Sequence, residues 1–204
     1  MSSPTLLSRI VRRILLALYR WKGWRITSAG TIPAKCVIVG APHTSNWDFV
    51  FFIGVTEELG LRPRYMGKAS LFRWPLRRFM FDMGGIAVER SKRANYVEQV
   101  IAEYAKSGEL ALVVAPEGTR GAIDEWRSGF YHIALGASVP ILPAWVDHAR
   151  MIGGIGPAIM PTGDFVADLC TIAKFYQSVM PDHPKLAILY AQAGLAGAPA
   201  PFAA

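Results

Sequence analysis

A histidine and an aspartate five positions apart, in the segment HTSNWD at residues 43–48, have the residue types of a base and its orienting partner. On a regular helix, residues five apart lie roughly 140° apart around the axis, so the two side chains could not meet. The intervening Thr-Ser-Asn at residues 44–46 is, however, well suited to a helix N-cap. If His43 lies in the loop before the cap, Asp48 can accept the Nδ1 hydrogen and leave Nε2 free as a base.

This pair has a second interpretation, because a histidine near an aspartate is often only a cap or a satisfied hydrogen bond. A metal site is not expected, since no second histidine or cysteine stands at ligand spacing. Cys36 and Cys170 are far apart and form no C-x-x-C motif, so we expect both to be reduced structural thiols.

A turn-forming segment, PEGTR at residues 116–120, places a carboxylate, a hydroxyl and a guanidinium together. Backbone N–H groups around Gly118 could bind an anion, and Arg120 could bind a phosphate through two parallel hydrogen bonds. The alternative is an ordinary surface turn with a solvated salt bridge.

Two further segments combine cations with apolar residues. In GGIAVERSKR, residues 84–93, Arg90 and two more cations follow a predicted strand and indicate either a solvated helix start or an anion clamp. In KASLFRWPLRRFMF, residues 68–81, arginines interleave with aromatic residues, which suits a lipid interface or an acyl-chain entrance. A core helix whose arginines reach out to water would explain this second segment equally well.

The elements that must position these residues follow from the hydrophobic pattern. Apolar strands alternate with helices, which predicts a single α/β domain with a largely parallel mixed sheet flanked by helices. The predicted strands cover residues 35–41, 64–68, 84–90, 110–115 and 139–147, with a further one at 156–161. The predicted helices cover residues 47–60, 70–82, 93–107, 128–137 and 164–179. Because parallel strands end at one edge, the polar segments that follow them are expected to converge there.

The N-terminal segment, residues 1–25, shows apolar residues at helical spacing with arginines largely off that stripe. Its longest uncharged run is too short to span a bilayer, so we predict a basic amphipathic helix lying on a membrane surface. An ordinary helix packed on the domain is the alternative. The domain proper is assigned to residues 26–190, and the Ala/Gly/Pro-rich residues 191–204 are expected to form a flexible tail. With a formal charge of +7, the chain should prefer an anionic partner.

Taken together, these segments resemble the glycerolipid acyltransferases of the lysophosphatidic-acid acyltransferase family. HTSNWD matches the family's H-x-x-x-x-D block, GGIAVER its second block, PEGTR its third and VPILPAW its fourth, all in family order. The resemblance implies an acyl transfer from acyl-CoA or acyl carrier protein to a lysolipid hydroxyl in phospholipid biosynthesis. It further implies no cofactor, no nucleic-acid partner, and a peripheral place on the cytoplasmic side of the cell membrane, on anionic lipid.

The resemblance also assigns roles to individual residues. His43 is implied to be the general base and Asp48 its orienting partner. The implied substrate-binding residues are Lys68, Arg90, Glu117, Gly118, Thr119 and Arg120. A serine hydrolase is disfavoured because G-x-S-x-G is missing, and nucleotide-binding glycine motifs are missing too. The rival of another class is a non-catalytic, basic lipid-binding protein at the membrane surface, which would not need His43 or Asp48.

Overall fold

A computed structural model of the chain describes residues 4–28, 32–88 and 96–195. Its centre is a seven-stranded sheet with the order β1-β7-β6-β2-β5-β3-β4. The strands are β1 Arg25–Ser28, β2 Lys35–Gly40, β3 Arg64–Lys68, β4 Gly85–Val88, β5 Leu110–Val114, β6 Ile141–Asp147 and β7 Ile152–Ile155. The run from β6 to β4 is parallel, whereas β7 pairs with β6 in the antiparallel sense. Strand β1 then pairs with β7 in parallel.

Helices cover both faces of this sheet. They are α1 Leu6–Lys22, α2 Trp47–Glu58, α3 Arg77–Asp82, α4 Tyr96–Lys106, α5 Gly129–Ala137, α6 Phe165–Val179 and α7 Ala187–Gln192. Short 3₁₀ segments stand at Ala69–Phe72 and Pro184–Leu186. None of the helices in the described part of the chain is long and apolar enough to cross a bilayer.

The uniformly apolar strands are explained by burial on both faces. Side chains of β2 alternate between faces, and Val37 and Val39 join the core formed with α4, α5, α6 and α7. Cys36 and Ile38 face the other way and join the cluster under the end of α2. All four are at most 4% exposed. This two-sided burial is what parallel strands flanked by helices require.

Helix α1 is attached to the domain through one side only. Its Tyr19 ring packs over Gly54 of α2 so closely that a methyl group on Gly54 would come within 2.1 Å of the ring. At the other end, Asp82 of α3 accepts hydrogen bonds from the Thr5 backbone N–H (3.0 Å) and the Ser8 hydroxyl (2.7 Å). The side that packs on α2 contains Leu15, Leu18 and Tyr19. The predicted N-terminal amphipathic helix is therefore present and docked.

The opposite side of α1 is apolar and open. It carries Leu6, Leu7, Ile10, Ile14 and Trp21, which are 45–74% exposed. Near the α3 end of the helix, Trp74, Leu76 and Phe81 are also exposed. We call these eight residues the apolar face. Arginines at positions 9, 13 and 20 lie along one flank of the α1 part of this face, because they fall within one narrow arc of the helix.

The structure confirms the fold class and most predicted elements, with three differences. The helix predicted over 70–82 is confirmed only in its second half, as α3 Arg77–Asp82. A 3₁₀ turn at Ala69–Phe72 stands in place of its first half, and Trp74-Pro75 separates the two. The strand predicted at 156–161 is also wrong: Ile159 makes one isolated bridge, to Ile141. Strands β1 and β7 and helix α7 were not predicted, and α7 includes two residues of the predicted tail. Residues 193–195 of that tail follow α7, and residues 196–204 lie outside the described residues.

Candidate active site

The centre of the candidate site is the joint between β2 and α2. His43 follows β2, and its Nδ1 atom lies 2.9 Å from Asp48 Oδ2. Asp48 stands in the first turn of α2, and the same oxygen accepts hydrogen bonds from the backbone N–H groups of Thr44 (2.8 Å) and Ser45 (2.9 Å). The loop thus folds back over the helix start, as expected from the five-residue spacing. With Nδ1 engaged, His43 Nε2 is left as the nitrogen that can accept a proton.

A second histidine, not expected from the sequence, shares this carboxylate. His148 Nε2 lies 2.6 Å from Asp48 Oδ1. His148 follows β6, the neighbour of β2 on the side away from β5, so it reaches the site from the same sheet edge. The convergence rule for strand ends could have identified it, because the predicted strand 139–147 ends directly before it.

Asp48 is ionised at neutral pH in this setting. Burial opposes its charge, but hydrogen bonds from His148, His43 and the backbone of Ser45 and Thr44 outweigh that penalty. Together they hold the pKa of Asp48 well below its usual range. Asp48 is therefore an acceptor for both imidazole rings and cannot act as a proton donor to either.

The third block is held to the His43 loop by a buried ion pair. Glu117 Oε1 accepts the His43 backbone N–H at 2.9 Å, and its Oε2 lies 2.7 Å from Lys185 Nζ. The Glu117 side chain is fully buried, and burial raises its pKa against the opposing effects of Lys185 and the His43 N–H. Glu117 thus positions the loop that carries His43, through a hydrogen bond from the His43 backbone.

Lys185 joins the two loops of the site. Its ammonium group also donates to the backbone carbonyls of His43, Thr119 (3.3 Å) and Arg120 (2.9 Å). One buried cation therefore fixes both the base-bearing loop and the PEGTR turn. Lys185 lies in the short 3₁₀ segment after α6, where no motif or strand end marks it, so sequence reasoning missed it.

The PEGTR turn presents its cation towards solvent. Gly118 adopts a left-handed backbone with φ of 68°, and a methyl group there would come within 3.0 Å of the Arg127 guanidinium. The Thr119 hydroxyl accepts the Gly121 N–H (3.2 Å) and shapes the turn. Arg120 and Arg127 are exposed, and neither forms an ion pair within the described ranges. Two guanidinium groups beside a glycine turn can bind an anion.

Two cavities open at this point of the sheet edge. The first, of about 650 Å³, is mainly apolar and lies between α2 and the sheet, with His43, Asp48 and Arg120 among its lining residues. Its apolar walls include Ile38, Phe49, Phe52, Val55, Tyr65, Met66 and Val113. The second, of about 1220 Å³, is more polar and lies beyond Arg120, with Thr44, His148 and Lys185 in its lining. The sizes are in or near the range of small-molecule sites in proteins.

The structure therefore brings together most of the predicted residues. His43, Asp48 and the third block, Glu117 to Arg120, meet at one edge. Lys68 ends β3 beside Val88 of β4, two strands away from β2. Arg90 lies outside the described residues, so its predicted part in the site stays a prediction. Among the described side chains, no three His, Cys, Asp or Glu residues form a metal-binding group.

A known family matches the part of the chain that carries most of this site. The model of the family described as Acyltransferase matches residues 24–147, more than half of the chain and the part that carries His43, Asp48 and the third block. The chain belongs to the Acyltransferase family. The match ends one residue before His148 and well before Lys185, two of the site residues that the sequence did not reveal.

Individual relatives agree with this family. The chain is 26% identical over 114 residues to the 1-acyl-sn-glycerol-3-phosphate acyltransferases of Salmonella typhimurium and Salmonella typhi. These alignments cover 53% of this chain and 45% of each relative, so the chain matches about half the length of those proteins. The structure is similar to that of the 1-acyl-sn-glycerophosphate acyltransferase PlsC from Thermotoga maritima. That likeness has a TM-score of 0.57 at 17% identity, and covers 91% of this chain and 80% of PlsC.

Proposed function

We propose that the protein is an O-acyltransferase that moves a fatty acyl group from a thioester to the hydroxyl of a phosphorylated lysolipid, such as 1-acyl-glycerol-3-phosphate, in phospholipid biosynthesis. One observation carries the proposal. His43, oriented by Asp48, lines an apolar cavity that also has Arg120 in its lining. This reaction needs three features in one place: space for an acyl chain, a base, and a group that binds an anion.

The chemistry follows from the geometry of His43. Its Nε2 takes the proton of the acceptor hydroxyl while the hydroxyl oxygen bonds to the thioester carbonyl carbon. The carbon–sulfur bond of the resulting tetrahedral intermediate then breaks, and the sulfur leaves with the proton from His43 as a free thiol. Asp48 stabilises the transient imidazolium through its contact with Nδ1. A thioester is already activated, so no covalent enzyme intermediate is required.

The apolar cavity is the proposed site for the acyl chain of the donor. Phe52, Val55 and Met66 line its interior, whereas His43 lies where the carbonyl end of a bound chain would be. Burial of methylene groups along such walls contributes about 0.8 kcal/mol each. Acyl-CoA and acyl carrier protein both present the chain as a thioester, and the proposal includes either as donor.

The acceptor phosphate is proposed to bind at the PEGTR turn. Arg120 and Arg127 supply two exposed guanidinium groups beside Gly118, and Lys68 and Arg90 are proposed as further cations. A phosphate held there would bring the acceptor hydroxyl near His43 and so convert an encounter of two molecules into a positioned reaction.

The apolar face is proposed as the surface that rests on the membrane, on its cytoplasmic side. Five of its exposed side chains form a stripe along α1 with arginines on one flank, and the other three lie in or just before α3. Apolar residues beside cations suit the interface of an anionic bilayer. The Lys22 ammonium lies over the rings of Trp21 (5.7 Å) and Trp47 (4.7 Å). Because Trp47 directly precedes Asp48, this surface leads to the site.

The acceptor part of the proposal is tested with a matched pair of lysolipids. Purified protein in mixed micelles receives oleoyl-CoA, or in parallel oleoyl-acyl carrier protein, and thiol release is followed. We expect oleoyl-glycerol-3-phosphate to be an acceptor and monooleoylglycerol, which lacks only the phosphate, to be a poor one. Arg120→Ala and Arg127→Ala should each lower kcat/KM for the phosphorylated acceptor by roughly 10–100-fold, through loss of a charge-assisted contact.

The control variant is Arg62→Ala, because Arg62 is exposed and lies before the start of β3, at the opposite edge of the sheet. Equal rates with both acceptors, or equal losses in Arg62→Ala and Arg120→Ala, would contradict phosphate recognition at the turn. Absence of thiol release with every donor and acceptor, together with tight binding to anionic vesicles, would favour the non-catalytic lipid-binding protein.

A further inference from the structure

The second histidine on Asp48 lies outside the four motifs and outside the matched family region. We propose that His148 is a positioning residue. It holds Oδ1 of Asp48, the oxygen that does not contact His43, and thereby sets both the orientation and the basicity of His43. The inference rests on the proposed function, because it assigns His148 a part in the same reaction.

The contact itself fixes where the hydrogen lies. An ionised carboxylate can only accept hydrogen bonds, so the 2.6 Å contact between His148 Nε2 and Asp48 Oδ1 requires a hydrogen on that nitrogen. Asp48 Oδ2 is already occupied by His43 and by two backbone N–H groups. With donors on both oxygens, the carboxylate plane cannot rotate, and the ring of His43 is held in one orientation.

His148 is itself built into a rigid turn. The preceding Asp147 accepts the backbone N–H groups of Ala149 (2.9 Å) and Arg150 (2.8 Å), and its carboxylate lies 2.6 Å from the Arg150 Nε. On the other side, the His148 ring meets Trp24 edge-on, with centroids 5.7 Å apart. The position of His148 is therefore set by groups that do not belong to the reaction.

The second consequence is electrostatic. Each hydrogen bond donated to Asp48 draws negative charge away from the oxygen that supports His43. A protonated His148 would do so more strongly than a neutral one, but the direction is the same. Removing His148 should therefore leave Asp48 a stronger acceptor, favour the protonated form of His43, and move its titration to higher pH.

Other charged groups surround this pair. The turn that carries His148 contributes Asp147 and Arg150. The remaining groups line the second cavity from two segments, one after β5 and one after α6: Arg120, Asp124, Asp182, His183 and Lys185. They are common to wild type and variants, so a comparison between variants isolates the contribution of His148.

The test is a histidine NMR titration of His148→Phe and His148→Gln against wild type. The chain has four histidines, so each signal can be assigned by substitution. Phe keeps a ring against Trp24 but offers no donor, whereas Gln offers an amide N–H to Asp48. We expect the titration midpoint of His43 to be higher in His148→Phe than in wild type and to stay near wild type in His148→Gln. The acid limb of the kcat/KM profile should move in the same direction.

His132, exposed on α5, is the internal reference and should titrate alike in all three proteins. If His148→Phe does not fold, His148→Met replaces it as a variant without a donor. An unchanged His43 midpoint in a folded variant without a donor would overturn the inference, and so would an equal rise in His148→Gln. The titration does not require catalytic activity. An inactive wild-type protein would therefore contradict the proposed function without deciding the role of His148.

Discussion

At the scale of single residues, the site depends on a cation that no motif contains. Lys185 Nζ bonds to the backbone carbonyls of His43 and Arg120, and pairs with the buried carboxylate of Glu117. Without Lys185, that carboxylate would remain buried without its charge partner. Breaking a buried pair on one side typically costs about 3–5 kcal/mol. The geometry of the base therefore depends on a group far from it in sequence.

Lys185→Met should lower the free energy of unfolding by roughly that amount and make it depend more steeply on pH. Burial already raises the pKa of Glu117, and loss of Lys185 removes a group that opposes the rise. The folded variant then binds more protons than the unfolded chain, so its stability should fall as the pH rises through and above the ordinary range of a glutamate. Urea unfolding at several pH values measures both effects.

The double variant Lys185→Met, Glu117→Gln provides the decisive comparison, because it has no buried charge to protonate. It should recover part of the stability and lose the added pH slope. Lys106→Met is the control: this lysine is exposed and its contact with Glu103 is long, at 3.5 Å. An identical pH slope in Lys185→Met and wild type would show that Glu117 does not depend on this cation.

At the scale of elements, the position of α1 depends on a glycine in α2. The Tyr19 ring occupies the space where a side chain at position 54 would be. Trp24 stacks on Tyr19 with centroids 5.7 Å apart, and its other neighbours are Phe51 and Trp47 of α2. Gly54 thus lets the helix that carries the apolar face lie against the domain.

Gly54→Ala should loosen α1. Overpacking a buried contact costs about 1–3 kcal/mol, whereas the better helix propensity of alanine returns roughly 1 kcal/mol. We therefore expect lower stability together with faster tryptic cleavage at the arginines of α1. Mass analysis of the first fragments identifies the cleaved bonds.

Gly129→Ala is the matched control for this prediction. Gly129 is also helical, and a methyl group there meets no atom within 4 Å. That variant should keep the wild-type cleavage pattern and be at least as stable. If trypsin cleaved α1 at the same rate in Gly54→Ala as in Gly129→Ala, docking of α1 through the Tyr19 contact would be contradicted.

The comparison of sequence and structure shows which elements a pattern can predict. Strand β2 was predictable because its apolar residues are buried on both faces. Strand β7, with the sequence IGGI, was not, because glycines weaken a strand pattern. Here Gly154 instead allows close pairing, since a methyl group on it would lie within 2.1 Å of the Thr27 carbonyl oxygen. This requirement for glycine arises only when β1 and β7 are paired in the sheet.

The same distinction applies to the site. The contact between His43 and Asp48 could be predicted because it is local and depends on a cap and a turn. The positions of Lys185 and Arg127 could not, because each is set by the packing of a distant segment. Arg127 joins the site through its backbone N–H, which donates to Pro116 at 3.1 Å. Long-range contacts of this kind leave no periodic signal in a sequence.

At the scale of the whole molecule, the sheet arranges the parts of the reaction around one edge. Strands β6, β2 and β5 are neighbours, and His148, His43 and the PEGTR turn follow their ends. Arg120 lines both cavities, the apolar cavity beside His43 and the larger cavity beside His148. If the apolar face rests on a membrane as proposed, this edge lies near the bilayer, where both lipid substrates would be found.

The most direct test of this account is acyl transfer by wild type, His43→Ala and His132→Ala under identical conditions. The two substitutions remove the same group, but His132 is exposed on α5. Folding of all three proteins is checked by thermal unfolding. We predict that thiol release needs the acceptor, that His132→Ala retains it, and that His43→Ala loses at least about 10²-fold, as expected for loss of a general base. Wild-type rates in a folded His43→Ala protein would contradict the central claim.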